Sequence, residues 1–245
     1  MTPPTSPMPD KIATEAGNPP AGPRADSRTG LGRIIVLGLT ITLLIVGYRN
    51  FIHPNIFPKR FGVVVPGEIY RSGKLTTAAL NKVVRKHDIK TIVDLGAWVE
   101  DTPANRRANQ REQHAAEALG AERHVFQLIG DATGDPNQYA DALRLVLDPA
   151  NHPVLVHCGA GTERTGCLVA IFRMHTEGMS LDEAYAEAER AGHSGSRNPH
   201  LRTVLETWSG PILESLRTGE PIPHDHTSDA ADEGRTRSDN GPGTP

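Results

Sequence analysis

Cysteine is scarce in this 245-residue chain, with only Cys158 and Cys167 present. Two thiols cannot staple a disulfide scaffold or build a four-cysteine zinc site. Aromatic residues are 4% and hydrophobic residues 37%, low for a chain folded throughout. Charge of one sign is missing too. The 26 basic and 29 acidic residues leave a net charge of -3, so the chain has neither a nucleic-acid binder's basic footprint nor an acidic tail protein's excess. The apolar deficit is local. Seven of the 20 prolines lie in residues 1–23 and four more in the last 27 residues. Residues 1–29 and 219–245 have no apolar periodicity and are expected to be disordered tails. His224 and His226, in the second tail, are read as solvated.

Long apolar runs are equally few. One stands out: Ile34 to Tyr48, 15 uncharged residues of which ten are Ile, Leu or Val. As a helix it spans roughly 22 Å against the ~30 Å of a bilayer core. Snorkelling by Arg33 and Arg49, with Tyr48 and Phe51 at the interface, can close that gap. The favoured reading is a single-pass anchor over residues 30–50. A cleaved secretory signal ranks second, because no small-residue cleavage site follows, and a buried core helix third. Orientation is close to a tie, with Arg24, Arg28 and Arg33 upstream against Arg49, Lys59 and Arg60 downstream. The short N-terminal tail tilts it towards a folded domain on the far side of the membrane from the cytosol.

Residues 60–218 alternate strand-like and helix-like stretches. Phe61–Val65, Ile69–Arg71, Lys90–Leu95, Val125–Leu128 and Pro153–His157 are expected strands. Thr76–His87, Ala104–Leu119, a helix capped by Asp135 with Pro136 at its first position, Thr165–His175, a helix opened by the Ser180–Glu183 capping box, and Leu201–Leu216 are expected helices. This alternation predicts an α/β domain of three layers, with a central, mostly parallel sheet flanked by helices.

The informative stretch is His157-Cys158-Gly159-Ala160-Gly161-Thr162-Glu163-Arg164-Thr165-Gly166, which joins the most apolar strand to the most buried helix. A cysteine, five residues and an arginine between strand and helix can wrap backbone N–H groups into an anion nest, with glycines permitting close approach. The helix aims its positive end at the same point, and the Arg164 fork matches two phosphoryl oxygens. These groups favour a Cys158 thiolate, a nucleophile aimed at phosphorus. Glu163 and the lack of Lys or His among residues 159–163 argue against polyanionic substrates.

This loop resembles the His-Cys-x5-Arg-Thr motif of the cysteine-dependent protein tyrosine phosphatases. The stretch from Gly67-Glu68-Ile69-Tyr70-Arg71-Ser72-Gly73 to Ala191 is similar to the atypical dual-specificity phosphatases of bacteria, fungi and plants. The resemblance implies a phosphotyrosine phosphatase-like fold and a cysteinyl-phosphate mechanism. Cys158 would be the nucleophile. Arg164 with residues 159–163 would hold the phosphate, Thr165 would ease the hydrolysis step, and His157 would order the loop through backbone hydrogen bonds. It also places a general acid on a loop before the helix that precedes the cysteine strand. Asp131 is the first choice; Asp135, with a competing capping role, comes next, and Glu163 third. Apart from the resemblance, Asp94 and Trp98 border the end of the strand Lys90–Leu95, on the side where ligands collect, with Trp98 either lining the substrate mouth or sitting in the core. Arg71 and Ser72 are expected beneath the site, and Cys167 as a buried, inert thiol.

The resulting expectation is a membrane-attached phosphatase acting on phosphotyrosine, and on phosphoserine or phosphothreonine, of proteins. A phosphoinositide or inositol-polyphosphate phosphatase is the alternative, and an inactive phosphate-binding adaptor the second. The chemistry calls for no metal or cofactor, and no nucleic-acid partner is expected.

Overall fold

The computed structural model describes residues 27–98 and 100–224. The expectations for residues 1–26 and 225–245, His226 among them, lie outside the described residues. Helix α1 covers Ser27–Gly47, a π-helical turn Tyr48–Ile52 and α2 His53–Ile56. Residues 27–29, expected in the tail, therefore belong to a helix. Arg33–Ile56 is one 24-residue stretch long and apolar enough to cross a membrane by length and composition. At the helical rise this is roughly 36 Å, so the length missing from residues 34–48 is supplied on the C-terminal side. The hydroxyls of Thr40 and Thr42 donate to Val36 O and Gly38 O, which leaves no polar side-chain hydrogen of theirs unmet. Ile34, Leu37, Leu43 and Leu44 are exposed, so the buried-core reading of this helix does not hold. The chain divides into two compact units, the first ending at Val46 and the second beginning at Gly47.

The second unit is a five-stranded sheet between two helical layers. Its strands are β1 (Gly62–Val65), β2 (Ile69–Gly73), β3 (Thr91–Asp94), β4 (Glu122–Val125) and β5 (Val154–Cys158), in spatial order β1-β2-β5-β3-β4. Only β1 and β2 are antiparallel, joined through Pro66-Gly67 with Gly67 at φ +80°; the other pairings are parallel. β5 lies at the centre with all five residues buried, which is why its sequence is a continuous apolar run. Alternation sorts its side chains. Leu155 joins Tyr70, Leu80, Val84, Ile92 and Ala116 under α3 (Thr77–His87) and α4 (Pro103–Ala118). Val154, Val156 and Cys158 face the other layer, α5 (Pro136–Leu147), α6 (Glu163–Glu177), α7 (Leu181–Arg190) and α8 (His200–Thr218).

Local signals set the helix ends. Thr76, Thr102, Asp135 and Ser180 each accept a backbone N–H of the helix they open, and Ser180 and Glu183 form the full capping box. Gly178 ends α6 in the left-handed region at φ +68°.

Two expectations are corrected. The fourth strand is Glu122–Val125, pairing residue for residue with Thr91–Asp94, rather than Val125–Leu128. After Phe126 N bonds Asp94 O the chain leaves the sheet, and the Leu128 carbonyl accepts Arg164 Nη1 instead of a strand neighbour. The polar edge strand Glu-Arg-His-Val hides from a hydrophobicity search. The start of the C-terminal tail is also ordered. Ile222 is buried, and its N–H and C=O are both bonded by the Asn137 side-chain amide, at 2.7 and 2.9 Å.

Candidate active site

The loop from Cys158 to Arg164 begins where β5 ends and closes into the first turn of α6. Its carbonyls are turned outward by cations arriving from elsewhere in the chain. Lys59 Nζ donates to Gly159 O, Arg60 Nη1 to Ala160 O and Arg71 Nη2 to Gly161 O, each at 3.0 Å. A trans peptide places N–H and C=O on opposite edges, so each cation directs the following amide to the inner side. Gly161 N accordingly donates to Cys158 Sγ at 3.2 Å. Glycine is required at two points. A Cβ on Gly161, at φ +82°, would stand 2.5 Å from Gly73 N, and one on Gly73 would stand 2.6 Å from Ala160 O.

Cys158 is 1% exposed. Burial pushes its thiol up, but the Arg164 guanidinium, the hydroxyl and amide of Thr165 and the amide of Gly161 outweigh it and hold the pKa below the ordinary thiol value. Thr165 Oγ1 is buried and makes no hydrogen bond of standard geometry, which leaves the sulfur as the acceptor it serves. Cys167 contrasts with it: full burial outweighs its one hydrogen bond, from Tyr139, and its thiol is pushed up to about 12.

Arg164 is aimed by backbone rather than by carboxylates. Its Nη1 donates to Gly96 O and Leu128 O, while its buried Nε has no partner. The Nε–Nη2 edge is thus the face left to receive two oxygens of a tetrahedral anion. Gly96 stands at φ +76°, and a Cβ there would lie 2.9 Å from Nη1. That glycine is the condition for the arginine's approach.

Beneath the loop lies a buried charge network. His157 Nε2 is 2.8 Å from Glu112 Oε1, Trp98 Nε1 donates to Glu112 Oε2 at 2.5 Å, and Arg123 Nη2 meets Asp94 Oδ2 at 2.5 Å. His157 was expected to order the loop through backbone bonds; its ring pairs with a helix α4 carboxylate instead. Burial opposes the His157 charge, yet Glu112 and Asp94 lift its pKa to about 9; Glu112, opposed by burial as well, is drawn down by His157 to about 2. Asp94, Glu112 and His157 have potential metal-ligand atoms within 4.8 Å of one another. Arg123 and the imidazolium already balance both carboxylates, so the donor set fits an ion-pair cluster rather than a cation site.

Each candidate acid has a structural task. Asp131 Oδ1 accepts Thr133 N at 2.9 Å and Thr133 Oγ1 at 2.6 Å, so its expected freedom from such duty does not hold. Asp135 caps α5 as expected, accepting Asn137 N at 2.9 Å. Glu163 is bound to His193 Nδ1 at 2.6 Å, and His193 Nε2 meets Tyr185 OH at 3.1 Å.

A cavity of about 420 Å³ is lined by Lys59, which also holds the Gly159 carbonyl, and by Lys74, Thr76, Trp98, Arg111 and Glu112 among others. Lys74 Nζ sits 4.5 Å over the Trp98 ring. The scarcity of base inside residues 159–163 therefore does not make the site poor in cations. Lys59, Lys74 and Arg111 come from three separate segments, and only the adjacent pair Lys59-Arg60 at the foot of the apolar helix offered a signal in the sequence.

The tyrosine phosphatase family matches residues 55–217. Over 84 residues the chain is 36% identical to inositol diphosphatase DSP1 of Oryza sativa subsp. japonica, covering 32% of this chain and 37% of that protein. The matched stretch is thus well under half of that relative's length. Among solved structures, the core catalytic domain of the PP-IP phosphatase SIW14 from S. cerevisiae, in complex with citrate, aligns with a TM-score of 0.54 at 25% identity, covering 66% of this chain and 93% of that one. TpbA of P. aeruginosa shares the fold, with a TM-score of 0.50 at 17% identity over 66% of this chain and 99% of its own. The cup built on a cysteine strand, and a family match spanning most of the chain, make one conclusion: this chain belongs to the tyrosine phosphatase family, among its cysteine-dependent, atypical dual-specificity-like members.

Proposed function

We propose that the chain removes phosphate from highly phosphorylated inositols, inositol pyrophosphates foremost, through a phosphocysteine intermediate. The observation that carries this reading is the trio Lys59, Lys74 and Arg111 lining one cavity, with Lys59 Nζ also on the loop carbonyl of Gly159, so that further phosphates of one substrate would lie among them. The similarity to an inositol diphosphatase and to a PP-IP phosphatase supports it. It replaces the phosphotyrosine-protein expectation, which leaned on the composition of the loop alone.

In this mechanism the Cys158 thiolate attacks phosphorus in line, the S–P bond forms and the bond to the leaving oxygen breaks. The loop amides and the Nε–Nη2 edge of Arg164 hold the equatorial oxygens as charge spreads over them. Water then attacks the phosphocysteine, releasing inorganic phosphate and the thiolate, with the Thr165 hydroxyl at the sulfur. A phosphoanhydride suits the acids found here. Its leaving group is a phosphate whose second pKa is about 6, so it departs with little protonation. Asp131 remains the proposed donor for less reactive esters, with Asp135 and Glu163 behind it. The apolar stretch Arg33–Ile56 supports attachment of the enzyme to a membrane.

The test compares an inositol pyrophosphate, inositol hexakisphosphate, phosphoinositide vesicles and a phosphotyrosine peptide as substrates of the full chain. The pyrophosphate is expected to give a kcat/KM at least about tenfold above the peptide's, in line with two or more added charge contacts. Cys158→Ser is expected to abolish turnover of all four. A faster peptide reaction would restore the protein-phosphatase reading, and phosphate binding with no turnover would support the adaptor.

A further inference from the structure

We propose that Arg60 is a positioning residue for the phosphate loop, delivered to it by the foot of the apolar helix. The inference rests on Cys158 being the nucleophile. The chain between α2 and Arg60 is short, and its neighbours hold it by hydrogen bonds. Ile56 O accepts Lys82 Nζ at 3.1 Å and Pro54 O accepts Thr76 Oγ1 at 3.5 Å, fixing α2 against the cap and middle of α3. Three residues later, Lys59 O accepts Gly73 N at 2.8 Å. Gly73 is the residue interlocked with Ala160 and Gly161, so the foot of the helix is tied to the loop through backbone.

Arg60 then takes a conformation that non-glycine residues avoid, φ 46°. Its guanidinium reaches Ala160 O at 3.0 Å. Opposite it stands Gly192 at φ +102°, where a Cβ would come 3.2 Å from Arg60 Nε, so the loop after α7 leaves room for this one side chain. The consequence lies in a single peptide unit. Ala160 C=O and Gly161 N–H belong to the same plane, and Gly161 N is the amide donating to Cys158 Sγ at 3.2 Å. By holding the carbonyl, Arg60 points that hydrogen at the sulfur. It touches neither the sulfur nor the cavity that Lys59 helps to line.

Glycine adopts the Arg60 backbone conformation without strain, which separates function from stability. In the full chain, Arg60→Gly is expected to keep or raise the melting temperature. It should nonetheless move the midpoint of Cys158 alkylation by iodoacetamide to higher pH and lower kcat/KM for p-nitrophenyl phosphate about tenfold, as a misaimed reacting group does. Arg60→Lys, which retains a donor, should stay within about threefold of the parent on the same grounds. An unchanged alkylation midpoint in Arg60→Gly, or a midpoint shift matched by an equal one in Arg60→Lys, overturns the proposal. A parent protein that neither turns over this ester nor shows a lowered midpoint defeats the Cys158 reading itself, and Arg60 with it.

Discussion

A thiol that is 1% exposed ought to be a weaker acid than one in water, and Cys158 is held the other way by Arg164, Thr165 and Gly161. The sign sets the pH behaviour. Alkylation and turnover should rise as pH climbs through a midpoint below the ordinary thiol value and fall away beneath it. Thr165→Val, which removes a hydroxyl but little volume, should move the alkylation midpoint upward, measured as rate against pH. His157 makes the opposite case. Its pKa is raised from 6.5 to about 9, so its contribution to stability is complete below 6.5 and is lost as pH rises through 9. Glu112, lowered from 4.5 to about 2, contributes fully above 4.5 and loses its share as pH falls through 2. The pair therefore works in full between those limits. His157→Gln should destabilise the fold by about 3 kcal/mol, the cost of stranding a buried carboxylate beside one remaining cation. In denaturant titrations the gap from the parent should narrow as pH rises past 9. A gap that does not change with pH would mean the imidazole is neutral.

At the scale of elements, the loop before α5 carries two aspartates whose duties can be separated. Asparagine caps a helix about as well as aspartate, and it makes the same side-chain turn as Asp131 does. Asp135→Asn and Asp131→Asn should thus keep their melting temperatures, leaving the carboxyl proton as the only loss. Asp131→Asn is expected to slow alkyl phosphates about a hundredfold while changing p-nitrophenyl phosphate by less than about threefold, since general acid catalysis counts only where the leaving group needs a proton. Steady-state kinetics on the two esters decides this, and equal effects would pass the role to Asp135. The Ser180–Glu183 box is a purely structural device, and Ser180→Ala should cost about 1 kcal/mol with kinetics unchanged. Most of these elements were legible one at a time, because caps, turn glycines and apolar periods act within a few residues. The strand at Glu122–Val125 was not. Its polar edge sequence becomes a strand only through its pairing with β3.

Across the whole molecule, the division at residues 46 and 47 falls within the apolar stretch Arg33–Ile56, and leaves most of its Ile, Leu and Val residues in the first unit. The full chain is expected in the membrane fraction after alkaline carbonate washing. A chain beginning at Gly47 should be released into the supernatant yet still turn over p-nitrophenyl phosphate, because the cations behind the loop start at Lys59. Fractionation with an activity assay on each pool checks both parts. Loss of activity on truncation would tie the helix itself to the site.

By itself the sequence determined the cysteine loop, its strand and helix, the α/β alternation and the apolar span, since each is written in residues close together along the chain. Only the tertiary structure decided the cations around the loop. Lys59, Arg60 and Arg71 act from roughly a hundred residues away on carbonyls of residues 159–161, and Glu112 pairs with His157 across two layers. Reading the loop's charge from its own five residues therefore left these cations out of the argument about substrate. An electric field at a site sums over every charge the fold brings near, whatever their distance along the chain.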